Sequence, residues 1–328
     1  MVGVHICHEA LKAGFRVRGT VRSAEKGLAV AKLLQSTDFE FVVVEDMAAG
    51  DAFAEEMKGA TAAIHTASNH EFPGRLDDVR APLLRGSMNI LEAALANPTV
   101  KRVVFTSTAG TGVQPGPGVM FHTDLDTWNR KAFGLVRTLP VQRLAELGFE
   151  WKTEVYRVAK LEVERAVWDF AQGNKLPFTV NFVCPGQNFG HAMGSVGVSG
   201  TQVLMLLDGK IPLVPSFYMI DVVDDARIHV AAALDTTVTD ERIFACNEPF
   251  TWHRVAQIIQ KLLPDAELAP TDPSEPSDIS TIDNRLGAYL LAKWWHQPGY
   301  KGLEQTKQTS KVRIWKSTEV QSIKYNYH

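Results

Sequence analysis

The chain has 328 residues, of which 45% are hydrophobic and 22% charged, with a formal net charge of -3. That is the composition of a globular protein with a large core, forming one large or two smaller domains. It excludes the basic excess of a nucleic-acid binder and the run of about 18 apolar residues that marks a membrane span, and the N-terminus lacks a secretory signal pattern.

In chain order, VHICHEALKA reads as a helix closed by Gly14. FRVRGTV is a strand, AEKGLAVAKLLQ a helix and FEFVVVED a strand rich in Val and Phe. DAFAEEMKG reads as a short helix and TAAIHTAS as a strand. LLRGSMNILEAALAN is helical by its i, i+3, i+4 apolar spacing, and Val103, Val104 and Phe105 form a short buried strand. A long connection over about 112–149 opens rich in Gly and Pro, and loops of that length in such folds are usually functional. A helix carrying Tyr156 runs to about Gly173, and PFTVNFVCPG is the next strand. MIDVVDDARIHVAAAL (219–234) reads as strand and helix, FTWHRVAQIIQKLLP as an amphipathic helix from Thr251, and TDPSEPSD (271–278) as a polar linker. The βα alternation implies a parallel sheet covered on both faces.

Tyr156 and Lys160, in EVYRVAKLEVERAVW, form a Tyr-x-x-x-Lys pair. The spacing puts both on one helix face, where an ammonium lowers the pKa of a neighbouring phenol. A phenol tuned this way exchanges a proton with a carbonyl or alcohol oxygen. Position strengthens the reading, since the pair follows the strand VKRVVFTSTAG, which ends in the hydroxyls of Thr106, Ser107 and Thr108. Asp221, Asp224 and Asp225 sit at a helix start, where carboxylates cap the helix and suit its dipole, and capping is preferred to a metal cluster. The histidines, His5, His8, His65, His70, His122 and His191 among them, show no metal spacing. Three odd, widely spaced cysteines, Cys7, Cys184 and Cys246, suit a reducing cytosol.

The ordered strings HTAS, FTST, YRVAK and CPG resemble the extended short-chain dehydrogenases/reductases, over roughly residues 3–306. The branch they resemble is that of dihydroflavonol reductases, cinnamoyl-CoA reductases and fungal aldehyde and ketone reductases. The resemblance implies a Rossmann-like, doubly wound α/β fold with a smaller C-terminal substrate lobe. It divides the chain into a dinucleotide-binding domain (1–185 plus about 219–246), a substrate lobe (186–218 plus about 247–305) and a tail (306–328). The tail is open between a disordered end, an edge strand and translated intron sequence. In the family a strand leads into a glycine loop at a helix N-terminus that holds the pyrophosphate. Gly3 takes the place of the third glycine of that loop, and the first strand with the two earlier glycines falls upstream of Met1. The expectation is a misplaced start codon or a truncated gene model, with a chain from Met1 folding poorly and binding cofactor weakly.

The resemblance also implies the site. At the end of the second family strand, Arg22, Ser23 and Lys26 suit the 2′-phosphate of NADP(H) where NAD users place an acid. Asp46 and Met47 meet the adenine, Thr66, Ala67 and Ser68 let the backbone approach the cofactor, and Pro185 and Gly186 lie under the nicotinamide. Gln187 and Asn188 follow with modest weight. Thr108 takes the place of the catalytic Ser, with Ser107 beside it and the choice between them open. Tyr156 donates the proton, Lys160 lowers its pKa and binds the ribose, and Asn89 supports the active-site backbone. Phe121, Trp128 and Phe133 in the long connection contact substrate or pack the core, and Trp128-Asn129 matches the Trp-Asn of the family there. The implied activity is NADPH-dependent reduction of an aldehyde or ketone by a cytoplasmic monomer or homodimer with a small-molecule carbonyl substrate. The alternatives are a sugar epimerase/dehydratase, disfavoured by Arg22, and a truncated, inactive dinucleotide-binding protein.

Overall fold

The computed structural model describes residues 1–68, 74–113, 118–138 and 148–309. Helix α1 (Val2–Lys12) ends where Gly14 takes φ +86°, a conformation that suits glycine, and strand β1 (Val17–Val21) follows. Helix α2 (Ala24–Leu34) starts on Ser23, whose hydroxyl accepts from the Lys26 amide. Strands β2 (Phe39–Val43) and β3 (Ala62–His65) are separated by turns at 51–59, where a short helix was expected. Helix α3 (Leu76–Leu95) leads to β4 (Arg102–Thr106). A 3-10 turn (Ala109–Thr111) follows β4, and the described part of the long connection holds β5 (His122–Thr123) and α4 (Arg130–Thr138). Then come α5 (Gly148–Asn174), β6 (Thr179–Pro185), β7 (Gln187–Phe189), α6 (Val198–Leu207), β8 (Met219–Asp221), α7 (Val222–Leu234) and β9 (Arg242–Ala245). The chain closes with α8 (Trp252–Leu262), β10 (Thr281–Ile282), α9 (Arg285–Trp295) and α10 (Leu303–Thr309). The tail from residue 310 on, and His70, lie outside the described residues.

The main sheet runs β3-β4-β6-β9, all parallel, with β1 and β2 paired parallel as a second piece. Strands β1 and β3 are not hydrogen-bonded to each other. The short strands pair elsewhere, β7 with β8 and β10 with β5.

Alternation along β4 and β6 builds two cores. Val103, Phe105, Val180, Phe182 and Cys184 face a cluster with Leu91, Ala94 and Val167 from α3 and α5. Val104 and Val183 face the other side, against Ile228 and Ala231 of α7 and Leu290 and Leu291 of α9. Helices therefore cover both faces, the arrangement that buries parallel strands. Asp221 caps α7 through the amides of Val223 (2.9 Å) and Asp224 (3.3 Å), as its position implied.

Candidate active site

Parallel pairing brings the carboxyl ends of the strands within each sheet to one edge, where ligands of such folds bind. Arg22 and Ser23 follow β1, Thr66 to Ser68 follow β3, Ser107 and Thr108 follow β4, and Gly186 follows β6. Helix α5 packs on α3 and on the 3-10 turn after Thr108, so Tyr156 and Lys160 stand over the ends of β3 and β4.

The two members of the pair differ in environment. Lys160 is buried and donates to the Thr106 carbonyl at 2.6 Å. Burial pulls its pKa down to about 8, opposed by the negative charge of Glu164 one turn on. The Tyr156 phenol is pushed up by burial, and the Ser68 hydroxyl beside it acts in the opposite direction. The expected lowering of the phenol by Lys160 is thus corrected. The i, i+4 spacing shares a helix face, but the ammonium is drawn inward to a backbone carbonyl. His65, at the end of β3, is buried beside Lys160 and falls to about 3, chiefly by desolvation, so it is neutral near pH 7.

The two hydroxyls after β4 separate cleanly. Ser107 is buried and donates to Glu164 Oε2 at 2.6 Å. Thr108 stands at the start of the 3-10 turn, half-buried, where its hydroxyl accepts from the Gly110 amide at 3.3 Å. Of the two, Thr108 is the less buried, while Ser107 lines the small cavity beside His65 and Lys160.

The residues read as cofactor contacts fit a dinucleotide 2′-phosphate. Arg22 and Lys26 are exposed at the end of β1 and the start of α2, and among the described residues no carboxylate pairs with either. Ser23 is committed to the helix cap. Asp46 makes a turn through the Ala48 amide, and Met47 packs against Gly86. Asn89 lies inside α3 because its amide reaches the carbonyls of Met47 (2.8 Å) and Ala49 (2.6 Å). It thereby fixes the turn after β2. Gly3 lies so close to Thr66 that a Cβ would sit 3.1 Å from its Oγ1. At the N-terminus of α1, His5 Nε2 meets the His191 carbonyl at 2.9 Å and Met1 packs near Gly197. Pro185 ends β6, and a Cβ on Gly186 would stand 2.5 Å from the Tyr218 carbonyl oxygen. Gln187 is held by Pro215 and Tyr218, and Asn188 is buried.

In the long connection, Asn129 is buried and starts α4 through the Ala132 amide, and Phe133 packs on the α3–α5 cluster. Phe121 packs on the main core. Trp128 lies under the Arg242 guanidinium, 4.2 Å from the ring centroid. Glu164 and Arg242 were not singled out from the sequence. The signal for Glu164 was present, since it continues the Tyr156–Lys160 face by one more turn.

The chain matches the NAD(P)H-binding family over residues 1–146. It is 31% identical to aldehyde reductase 2 of Sporidiobolus salmonicolor, covering 93% of this chain and 90% of that protein. It is also 31% identical to ketoreductase adrE of Penicillium rubens, covering 92% of this chain and 90% of that one. In fold it is similar to Gre2 of Candida albicans, whose crystal structure is a complex with NADPH (TM-score 0.79, 24% identity, 94% of each chain). It is likewise similar to vestitone reductase from alfalfa, Medicago sativa (TM-score 0.72, 20% identity, 94% of each chain). With its doubly wound parallel fold, its Tyr156–Lys160 helix and relatives of this identity over nearly its whole length, the chain belongs to the extended short-chain dehydrogenase/reductase family of NAD(P)H-binding oxidoreductases.

Proposed function

We propose that this chain reduces an aldehyde or ketone to an alcohol with NADPH, and that Tyr156 supplies the proton. The observation that carries the reading is the state of the Tyr156 phenol, which stands beside Ser68 with its pKa raised by burial. A phenol above its ordinary pKa of about 10 is fully protonated near pH 7, the form a proton donor needs. NADPH, when bound, supplies the hydride. As negative charge grows on the carbonyl oxygen, the Tyr156 and Thr108 hydroxyls donate to it and the Tyr156 proton completes the alcohol. Lys160, one helical turn from Tyr156, would hold the ribose hydroxyls of the cofactor when it is bound. Arg22 and Lys26 hold the 2′-phosphate, which gives the preference for NADPH over NADH. Residues 1–185 with about 219–246 form the dinucleotide half, and 186–218 with about 247–305 line the carbonyl pocket. Three free cysteines suit a reducing cytosol. The aldehyde and ketone reductase names of the relatives support the substrate class. A panel of aldehydes and ketones, followed by NADPH absorbance, tests the reading. Turnover of at least one carbonyl supports it, and no turnover with any of them overturns it.

A further inference from the structure

Beneath the catalytic face lies an ion pair that the proposed chemistry does not touch. Glu164 on α5 is fully buried, and its two oxygens accept from Ser107 Oγ and from Arg242 Nε, each at 2.6 Å. Arg242 on β9 is also buried, and it carries the frame outward. Its Nη1 donates to the carbonyls of Leu125 (3.2 Å) and Thr127 (2.5 Å), and its Nη2 donates to Thr111 Oγ1 (2.9 Å). Its guanidinium also lies over Trp128. One buried pair thus touches the helix of Tyr156 and Lys160, the strand end before Thr108, the 3-10 turn after it, and the connection from 125 to 128. The carboxylate is also one helical turn from Lys160.

We propose that the Glu164–Arg242 pair is a positioning device for the reaction, holding Lys160, the Ser107–Thr108 strand end and the 125–128 loop in one frame. This rests on reading Tyr156, Lys160 and Thr108 as the catalytic face. With its hydroxyl bound by Glu164, Ser107 is held in one rotamer at the end of the strand that leads into Thr108. With two of its carbonyls bound by Arg242, the loop cannot lift from the sheet. Glu164 also opposes the desolvation that pulls Lys160 down. The other groups facing this ammonium are His65 from β3, Cys184 from β6 and, through Glu164, Arg242 from β9. The Thr106 carbonyl comes from β4, and the side chain of Thr106 is held by His229 of α7, itself beside Asp225.

The test is a lysine side-chain ¹⁵N NMR titration of the full chain, with Lys160 assigned by Lys160→Met. In Glu164→Gln the Lys160 titration is expected to move below its wild-type value by about one pH unit, because a neighbouring negative charge is gone. Glu164→Asp is expected to restore it. An unmoved titration in folded Glu164→Gln overturns the proposal, since a merely structural residue changes stability and leaves this pKa in place. Ser107→Ala keeps both charges and decides the matter if Glu164→Gln does not fold. Backbone amide exchange over Thr108–Gly112 is expected to accelerate at least tenfold, and unchanged exchange there overturns the proposal. Neither readout needs turnover, so a wild-type chain inactive on every carbonyl would sink the proposed activity and leave this inference to its own result.

Discussion

Lys160 donates to the Thr106 carbonyl at 2.6 Å, so the cation of the Tyr-x-x-x-Lys pair is tied to the sheet at the point where β4 ends. Its pKa lies at about 8, against an ordinary 10.5, chiefly by burial. Between those two values the unfolded chain holds a proton that the folded chain has lost. Stability therefore rises with pH through that window, and the cost of burying the charge is fully present below about pH 8. Lys160→Met removes this dependence. Denaturant unfolding of both proteins at pH 7 and pH 10 is expected to show the wild type gaining on the variant by on the order of 3 kcal/mol. A constant difference contradicts the buried, charged lysine.

On the proposed reading, Arg22, exposed at the end of β1, binds the cofactor 2′-phosphate. Arg22→Glu is expected to raise the KM for NADPH about 100-fold, the worth of a charge-assisted contact or two, and to improve use of NADH. Lys26→Ala is expected to cost about tenfold in the same constant. Steady-state kinetics with both cofactors checks this, and an unchanged NADPH to NADH ratio removes Arg22 from the site.

The sequence made the alternation of strands and helices legible, together with the Tyr156–Lys160 spacing on one helix, because periodicity and short strings carry that information locally. Gly14, Asp221 and Thr251 end or start helices as their residue types implied. What lies in the site beyond them was hidden for a physical reason. The partner of Ser107 is 57 residues away and that of Glu164 is 78 residues away, so only the packed fold shows them. The direction of the Tyr156 shift failed because spacing along a helix says nothing about desolvation, and burial outweighs any charge one turn away. Asn89 was found as a poor helix former, and its bonds to Met47 and Ala49 show why it is tolerated.

Thr108 and Ser107 are expected to separate in kinetics. Thr108→Val removes the hydroxyl at constant shape and is expected to lower kcat about 10- to 100-fold, the scale of losing one hydrogen bond to developing charge. Thr108→Ser is expected to keep most of the rate. Measured kcat for the two variants checks the assignment, and a loss in Thr108→Ser with none in Thr108→Val would mean that the methyl rather than the hydroxyl matters.

Gly186 is required by contact, since an added Cβ would stand 2.5 Å from the Tyr218 carbonyl oxygen. Gly186→Ala must push β6 from the segment before β8. It is expected to cost about 1–3 kcal/mol in denaturant unfolding, the range for overpacked interiors. Wild-type stability would show that the backbone yields freely there.

The central claim, proton donation by the Tyr156 phenol, is tested most directly by the single-turnover rate of NADPH oxidation in Tyr156→Phe at saturating carbonyl substrate. The account predicts a fall of about 10²- to 10⁴-fold, the usual worth of a positioned acid, with the fold intact. A rate equal to wild type would contradict it.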